Sequence, residues 1–193
     1  MPDQAARPSR IGALDAPGYA PARFGSVTIA VLSSATKLTL RCAGASAGGI
    51  PPAAGLGFGQ SINRFSGLEG RISARLGPDE WLILAPHAEA EALEAAIGAA
   101  LAGRHHALVD VSHRNAAIEV AGDGAELVLA AGCPLDLDPS SFPVGSATRT
   151  LIGKAEVVLL KLGEEPRFRI EVWRSYARYL FAFLAEAAAG NVA

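Results

Sequence analysis

The amino-acid sequence predicts an α+β fold in which helices pack on antiparallel sheets. Two observations lead to this class: short runs of alternating apolar residues recur between turns, and apolar stripes at helical spacing stand between those runs. A third observation is that two parts of the chain resemble each other, which predicts duplicated β-α-β-β units. Strands and helices mixed in this way give layers of helices on antiparallel sheets.

The first half of the chain carries four strand patterns and one helix pattern. Strands are predicted at residues 37–42, 71–76, 81–84 and 106–111. In the first of these, Leu38, Leu40 and Cys42 share one face, because side chains alternate along a strand. The apolar stripe of Leu93, Ile97 and Leu101 predicts a helix over residues 88–101.

The second half begins with the continuous stretch 109–139. A strand is predicted at 116–120, followed by a helix that Asp123 caps and that Gly132 and Pro134 end. Further strands are predicted at residues 147–152, 155–162 and 168–173. Ser175 is expected to cap the last helix, whose predicted apolar stripe comprises Tyr176, Tyr179, Leu180, Phe183, Leu184 and Ala187.

Two remaining segments have compositions unlike the rest. Residues 1–35 are rich in Pro, Ala, Arg and Gly and predict an extended N-terminal arm, with a possible short strand at 27–32. Residues 43–60 predict a loop followed by a weak helix at 53–58. We therefore divide the chain into the arm and a single α+β domain at 36–193, built from two intertwined repeats at about 36–112 and 113–190.

The internal repeat rests on two pairs of segments. LTLRCAG at 38–44 resembles AAIEVAG at 116–122, and RLGPDEWLIL at 75–84 resembles LIGKAEVVLL at 151–160. The first pair separates Gly44 from Gly122 by 78 positions, and the second separates Gly77 from Gly153 by 76. Because the two displacements agree and the segments keep the same order, the sequence predicts a duplication.

Composition and charge exclude several classes of function. The net charge of −2 argues against a surface for nucleic acid or anionic membranes, and no apolar run reaches the roughly 18 residues that span a bilayer. The N-terminus lacks the apolar core of a signal peptide. Cys42 and Cys133 lie among apolar residues, so we expect reduced, buried thiols in a cytoplasmic protein, with a disulfide as the alternative.

Asp110, Ser112 and His113 contain the residue types of a hydrolase triad. Neighbouring strand residues point to opposite faces, so Ser112 and His113 would diverge, and no Gly-x-Ser-x-Gly turn surrounds the serine. We therefore interpret Asp110 and Ser112 as groups that bond the backbone of a turn at the end of the strand.

The remaining polar patterns also favour a structural interpretation. His87, His105, His106 and His113 do not have the spacing of a zinc site. Gly55-x-Gly57-x-Gly59 lacks the strand and the completing residues of a nucleotide loop. Asp136 and Asp138 could serve acid–base chemistry or bind a cation, but a solvated loop is the preferred interpretation. No catalytic, cofactor-binding or metal-binding residue is assigned.

The last strand and helix concentrate aromatic residues between positions 173 and 183. Phe181 lies off the predicted apolar stripe of the helix, and Trp173 lies on the face of the last strand opposite Phe168, Ile170 and Val172. We therefore predict that both side chains contact a partner subunit.

Four long runs of the sequence carry a family resemblance. They are, in order, LGPDEWLIL at 76–84, the whole stretch 109–139, FPVGSATRTLIGKAEVVLLKL at 142–162 and FRIEVWRSYARYLFAFL at 168–184. Together these runs resemble the gamma subunit of heterotetrameric sarcosine oxidase. The resemblance extends over about residues 37–187 and is less distinctive at 43–59.

This resemblance implies a role as an accessory subunit. The family converts sarcosine to glycine and hydrogen peroxide and, with tetrahydrofolate, forms 5,10-methylenetetrahydrofolate. It places FAD, FMN and NAD in the alpha and beta subunits and zinc in the delta subunit, and it implies no cofactor in the gamma chain. The gamma subunit is similar in fold to the folate-binding domain of the glycine-cleavage aminomethyltransferase, which is itself duplicated.

Two other functions remain open at this point. The chain could be a free-standing folate-binding or aminomethyl-transfer module, for which Asp110 and Asp136 are the only candidate carboxylates. It could also be the gamma subunit of a related oxidoreductase that acts on another N-methyl amino acid.

Overall fold

A computed structural model describes residues 11–15, 18–43, 49–68 and 70–191 of the chain. Within these residues it contains eleven strands and three helices. In chain order they are β1 (Ala22–Phe24), β2 (Val27–Val31), β3 (Thr36–Cys42), β4 (Arg64–Leu68), β5 (Arg71–Arg75), β6 (Glu80–Ala85), α1 (Ala90–Ala100), β7 (His106–Asp110), β8 (Asn115–Ala121), α2 (Ala125–Ala130), β9 (Ala147–Ile152), β10 (Ala155–Lys161), β11 (Arg167–Trp173) and α3 (Ala177–Gly190).

The strands form two antiparallel sheets. One sheet has the order β4-β5-β6-β3-β7, and the other has the order β1-β2-β8-β11-β10-β9. The first sheet is built from the earlier repeat and the second mainly from the later one. This arrangement is the α+β class that the alternating patterns predict.

The two sheets pack face to face. Helix α1 covers the outer face of the first sheet, and α2 and α3 cover the outer face of the second. Between the sheets lies an apolar cluster from β5, β6, β9 and β10, which includes Leu82, Leu84, Val158 and Leu160. A second cluster joins α1 to the first sheet through residues such as Leu38, Trp81 and Ile97. A third cluster joins α2 and α3 to the second sheet. Most strands are therefore buried on both faces.

The two sheets have the same internal strand order, but the two repeats align differently from the predicted alignment. Strands β4-β5-β6-β3 of the first sheet occupy the places of β9-β10-β11-β8 in the second. The match of 38–44 with 116–122 agrees with this, since β3 and β8 are equivalent. The match of 75–84 with 151–160 does not, because it aligns β6 with β10, whereas β6 occupies the place of β11. Each unit also contains three successive strands rather than a pair.

The N-terminal segment completes the second sheet. β2 pairs with β8 from Thr28↔Ala121 to Val31↔Ile118, and β1 pairs with β2. β2 takes the place beside β8 that β7 takes beside β3. Residues 22–31 are therefore a hairpin and not an extended arm, which corrects that expectation. β2 is the short strand that the sequence predicts as an option at 27–32. The extent of the domain and the bounds of its two repeats stay predictions.

The predicted helix at 53–58 is absent, and β4 was not predicted. Ala53 and Leu56 exchange backbone hydrogen bonds of 2.8 and 3.1 Å around a tight turn. Ala54 and Gly55 both have positive φ, at 51° and 75°, which no helix can contain. Leu56 and Phe58 are buried beside Trp81, and the Trp81 Nε1–H donates to the Phe58 carbonyl at 3.2 Å. Burial of Leu56 and Phe58 against the first sheet therefore favours a tight turn over a helix in this segment.

Both predicted helix caps are wrong. The N-cap position of α2 is Gly124, with φ of 96°, and that of α3 is Tyr176, and neither helix has a side-chain capping bond. The face of α3 that is buried also differs from the predicted stripe. It comprises Ala177, Leu180, Phe181, Leu184 and Ala188. In α2, Val128 and Leu129 are buried, whereas Leu127 is exposed.

Candidate functional site

Buried charges connect the two sheets where β3 faces β11. Lys37 of β3 and Glu171 of β11 lie 2.9 Å apart, with side chains only 3 % and 0 % exposed. The Lys37 Nζ also donates to the Asn115 carbonyl at 2.8 Å. On the other side of the carboxylate, the Arg169 Nε and Nη2 atoms donate to Glu171 Oε1 at 2.9 and 2.7 Å. Every charge in this group therefore has a close opposite charge, as burial requires.

A second ionic connection lies nearby. Glu80 at the start of β6 is buried and pairs with Arg149 of β9 and, at 2.8 Å, with Arg41 of β3. The alternation in 37–42 identified Lys37, Thr39 and Arg41 as one polar face. That face points toward the other sheet. Alternation along the chain cannot predict this, because it does not show whether a polar face meets water or a strand that lies far away in the sequence.

A cavity of about 560 Å³ lies next to the Lys37–Glu171 ion pair and is lined in part by Lys37. We call it the junction cavity. Its walls come from segment 12–15, the end of β2, and the connection between β7 and β8. The polar side chains among its lining residues are Asp15, Ser33, Ser34, Lys37, His87, Ser112, His113, Asn115 and Arg174. This volume falls in the range of small-molecule sites.

The predicted turn at Asp110 lies at the edge of the junction cavity. Asp110 Oδ1 accepts hydrogen bonds from the Ser112 backbone N–H at 2.8 Å and from its hydroxyl at 2.5 Å. The Ser112 Oγ in turn accepts the Lys37 backbone N–H at 3.0 Å. The hydroxyl proton therefore points to a carboxylate and not to His113, whose side chain is exposed. This is the strand-end turn that the sequence predicts, and it lacks the serine–histidine bond of a triad.

Asp136 and Asp138 lie elsewhere, in the solvated loop that the sequence predicts. Asp136 accepts from the Asp138 N–H and the Ser141 hydroxyl, and Asp138 accepts from the N–H and hydroxyl of Ser140. These bonds stabilise the ionised carboxylates, with the serine hydroxyls as the largest cause, and lower the pKa of both aspartates. A carboxylate with a lowered pKa is a poor proton donor or acceptor at neutral pH.

The other candidate residues do not converge. In the described ranges, no three His, Cys, Asp or Glu side chains come together in a group that could hold a metal ion. Cys42 and Cys133 are buried, unpaired thiols in separate apolar clusters, as expected. The glycines at 55–59 belong to the turn before β4. Within the described part of the chain, these candidate residues therefore lie apart from one another.

The two predicted contact residues have different environments. The Trp173 side chain is 47 % exposed at the end of β11. Phe181 is only 6 % exposed and packs edge-to-face on Tyr19, with ring centroids 5.3 Å apart. The N-terminal segment of the same chain thus covers Phe181, which corrects its prediction as a partner contact. Trp173 remains a candidate.

Comparison with known proteins identifies the family. The profile described as sarcosine oxidase, gamma subunit family, matches residues 43–190. Sarcosine oxidase subunit gamma from Arthrobacter sp. is 36% identical over 144 residues, which cover 73% of this chain and 70% of that protein. The chain belongs to the sarcosine oxidase gamma subunit family. The gamma subunit of Corynebacterium sp. strain P-1 is 34% identical over the same share of each chain.

Solved structures agree with this gamma-subunit assignment. A chain of heterotetrameric sarcosine oxidase from Corynebacterium sp. U-96, in complex with pyrrole 2-carboxylate, superposes with a TM-score of 0.80 at 26% identity. The match covers 95% of this chain and 97% of that chain. Aminomethyltransferase T of the glycine cleavage system from Bartonella henselae shares the fold, with a TM-score of 0.62 at 17% identity over 82% of this chain and 45% of that chain.

The gamma-subunit chain contains no helix, within the described ranges, with the length and apolar composition needed to cross a membrane.

Proposed function

We propose that this chain is the gamma subunit of a heterotetrameric sarcosine oxidase and that it acts by packing against alpha, beta and delta subunits. The observation that carries the proposal is the near-complete match to one chain of such an assembly, which covers 95% of this chain and 97% of the other. The match extends over almost the whole of both chains, whereas the match to aminomethyltransferase T covers only 45% of that chain.

In this proposal the chemistry belongs to the partner subunits. The assembly would oxidise sarcosine to glycine and hydrogen peroxide and, with tetrahydrofolate, release 5,10-methylenetetrahydrofolate. FAD, FMN, NAD and zinc would be held by the partners. The polar groups of the gamma chain support this division, because Lys37, Glu171, Asp110 and Ser112 are already bonded to one another or to their neighbours. They contribute rigidity to the junction of the two sheets.

Co-expression with the genomic neighbours of its gene tests this role. The chain is tagged and purified, and the product is read by native mass and flavin absorbance. We expect a flavin-bearing complex that contains this chain and oxidises sarcosine. A monodisperse chain that ignores the co-expressed subunits would contradict the proposal. The same complex, assayed with a panel of N-methyl amino acids, distinguishes sarcosine from a related substrate.

A free-standing folate module is the second candidate. Its support is the junction cavity of about 560 Å³ in a fold shared with an aminomethyltransferase. Against it, Asp110 is occupied by Ser112, and Asp136 lies in a separate loop. Titration of the isolated chain with tetrahydrofolate, followed by calorimetry, decides between the two, since this module requires saturable binding without any partner.

The proposed location is the cytoplasm. The two cysteines are unpaired and buried, which agrees with a reducing compartment.

A further inference from the structure

An open groove of about 720 Å³ runs beside Trp173, and we call it the arginine groove. Arg114, Arg174 and Arg178 line it, together with His113, Trp173 and Ile11. It lies where segment 11–13, the start of β8 and the start of α3 meet. Among the lining residues that the structure describes there is no Asp or Glu. The groove thus concentrates three positive charges in a chain whose net charge is −2.

The three arginines bond only neutral acceptors in the described part of the chain. Arg174 Nη2 donates to the Ile11 carbonyl at 2.6 Å, and Arg178 Nε donates to the Ala13 carbonyl at 3.2 Å. Arg114 Nε has one weak bond of 3.4 Å to Asn115 Oδ1. By contrast, carboxylates lie within 3.0 Å of the arginine side chains at positions 41, 71, 149, 167 and 169. The groove arginines therefore keep their capacity for charged partners.

The same groove also offers apolar surface. Trp173 is 47 % exposed and Ile11 is 67 % exposed. Trp and Arg are the residues most enriched among those that dominate binding energy in protein interfaces. The uncapped start of α3 adds a positive partial charge at the same place.

We propose that the arginine groove docks an acidic, carboxylate-rich segment of a partner subunit, with an apolar side chain of that segment against Trp173. This rests on the proposed function, which supplies the partner. Charge complementarity favours this occupant, because guanidinium groups bind carboxylates through paired hydrogen bonds and the described residues that line the groove include no carboxylate. Its open, elongated shape suits a chain segment that also makes contacts outside the arginines.

The test measures association of the full gamma chain with the complex of its partner subunits. Arg114→Glu reverses a charge at the arginine with the weakest internal bond. We expect it to raise the dissociation constant at low salt about tenfold or more, chiefly through slower association. Arg114→Lys keeps the charge and should stay within about threefold of the native chain. The native chain should lose affinity as salt rises, and Arg114→Glu should lose less, because screening weakens charge attraction.

Arg104→Glu is the matched control, since Arg104 is also exposed but lies after α1, outside the groove. It should bind like the native chain. Equal unfolding midpoints for the three variants would show that each folds. If Arg114→Glu binds like Arg104→Glu, the docking proposal is overturned while the gamma-subunit role stands. If the native chain binds no partner, the gamma-subunit role fails and the docking proposal fails with it.

Discussion

Phe181 and Trp173 show how far the environment of single residues can depart from a sequence pattern. Phe181 lies off the stripe that the aromatics of α3 suggest, and Trp173 lies on the polar face of β11, so both were expected at an interface. The stripe of Ala177, Leu180 and Leu184, extended to Ala188, is equally regular and includes Phe181. Choosing between the two stripes requires knowing what lies beneath α3. Tyr19, 162 positions away along the chain, supplies the ring that contacts Phe181.

We predict that Phe181→Ala and Trp173→Ala differ in their effects on folding. Loss of the buried ring should lower the free energy of unfolding by about 3–5 kcal/mol, because the cavity can close only in part. Trp173→Ala should lower it by less than about 1 kcal/mol, since much of that side chain is already in water. Urea unfolding of the isolated chain, followed by circular dichroism, measures both. Similar losses for the two variants would mean that Trp173 belongs to the core.

The buried ion pair of Lys37 and Glu171 also departs from what the residue types suggest. Lys37 and Glu171 are of types that sequence analysis places at the surface, yet both are buried. Their sequence signal is only that each stands on the polar face of an alternating strand. Whether such a face meets water or another sheet depends on contacts between distant segments.

At the scale of elements, the hairpin of β1 and β2 depends on one close approach to β8. Gly122 follows β8 with φ of 105°, and its N–H donates to the Pro166 carbonyl at 2.8 Å. A Cβ atom at this position would collide with the carbonyl oxygen of Ser26, in the turn between β1 and β2. A glycine is required here both for its backbone conformation and for the space it leaves.

We predict that Gly122→Ala weakens this hairpin. The free energy of unfolding should fall by at least about 2 kcal/mol, because strain at positive φ adds to a clash with backbone that cannot move aside. Gly98→Ala is the control: this glycine lies in α1, nothing is near its missing Cβ, and the change should stabilise by about 0.5–1 kcal/mol. Hydrogen exchange should locate the loss in β2 and β8. Unchanged protection of β2 would contradict the predicted mechanism.

At the scale of the whole molecule, the two repeats are joined by apolar and ionic contacts between their sheets. The apolar cluster around Leu82 and Leu160 forms one part of this interface. The pairs Lys37–Glu171 and Glu80–Arg149 form the other. Because each pair joins one sheet to the other, the two halves are expected to unfold together.

Glu171→Gln tests this connection. The change keeps the shape of the side chain but leaves the buried Lys37 and the partly buried Arg169 without their negative partner. Breaking a buried pair in this way typically costs about 3–5 kcal/mol. Glu156→Gln is the matched control, because Glu156 is 54 % exposed and lies 3.7 Å from Arg149. Its substitution should lower the free energy of unfolding by less than about 1 kcal/mol. Calorimetry that finds both variants equally stable would mean that the pair does not hold the sheets together.

The distance along the chain between bonded residues explains which parts of the candidate site could be predicted. The turn of Asp110 and Ser112 and the loop of Asp136 and Asp138 were predictable, since each is made of bonds between residues no more than five positions apart. The arginine groove was not, because Arg114 and Arg178 come from different elements and meet only at segment 11–13. The family was recognisable, because long runs of side chains are kept in order along the chain.

Alternation and helical spacing are local properties of the chain, and they were enough to predict the class of fold, most strands and the helix after β6. The duplication was also predicted, although with one strand misaligned. Three features could be seen only in the folded molecule: residues 22–31 complete the second sheet, Lys37 on the polar face of β3 is buried, and Phe181 belongs to the core. Each of these depends on contacts between segments far apart in sequence, where burial outweighs local preference.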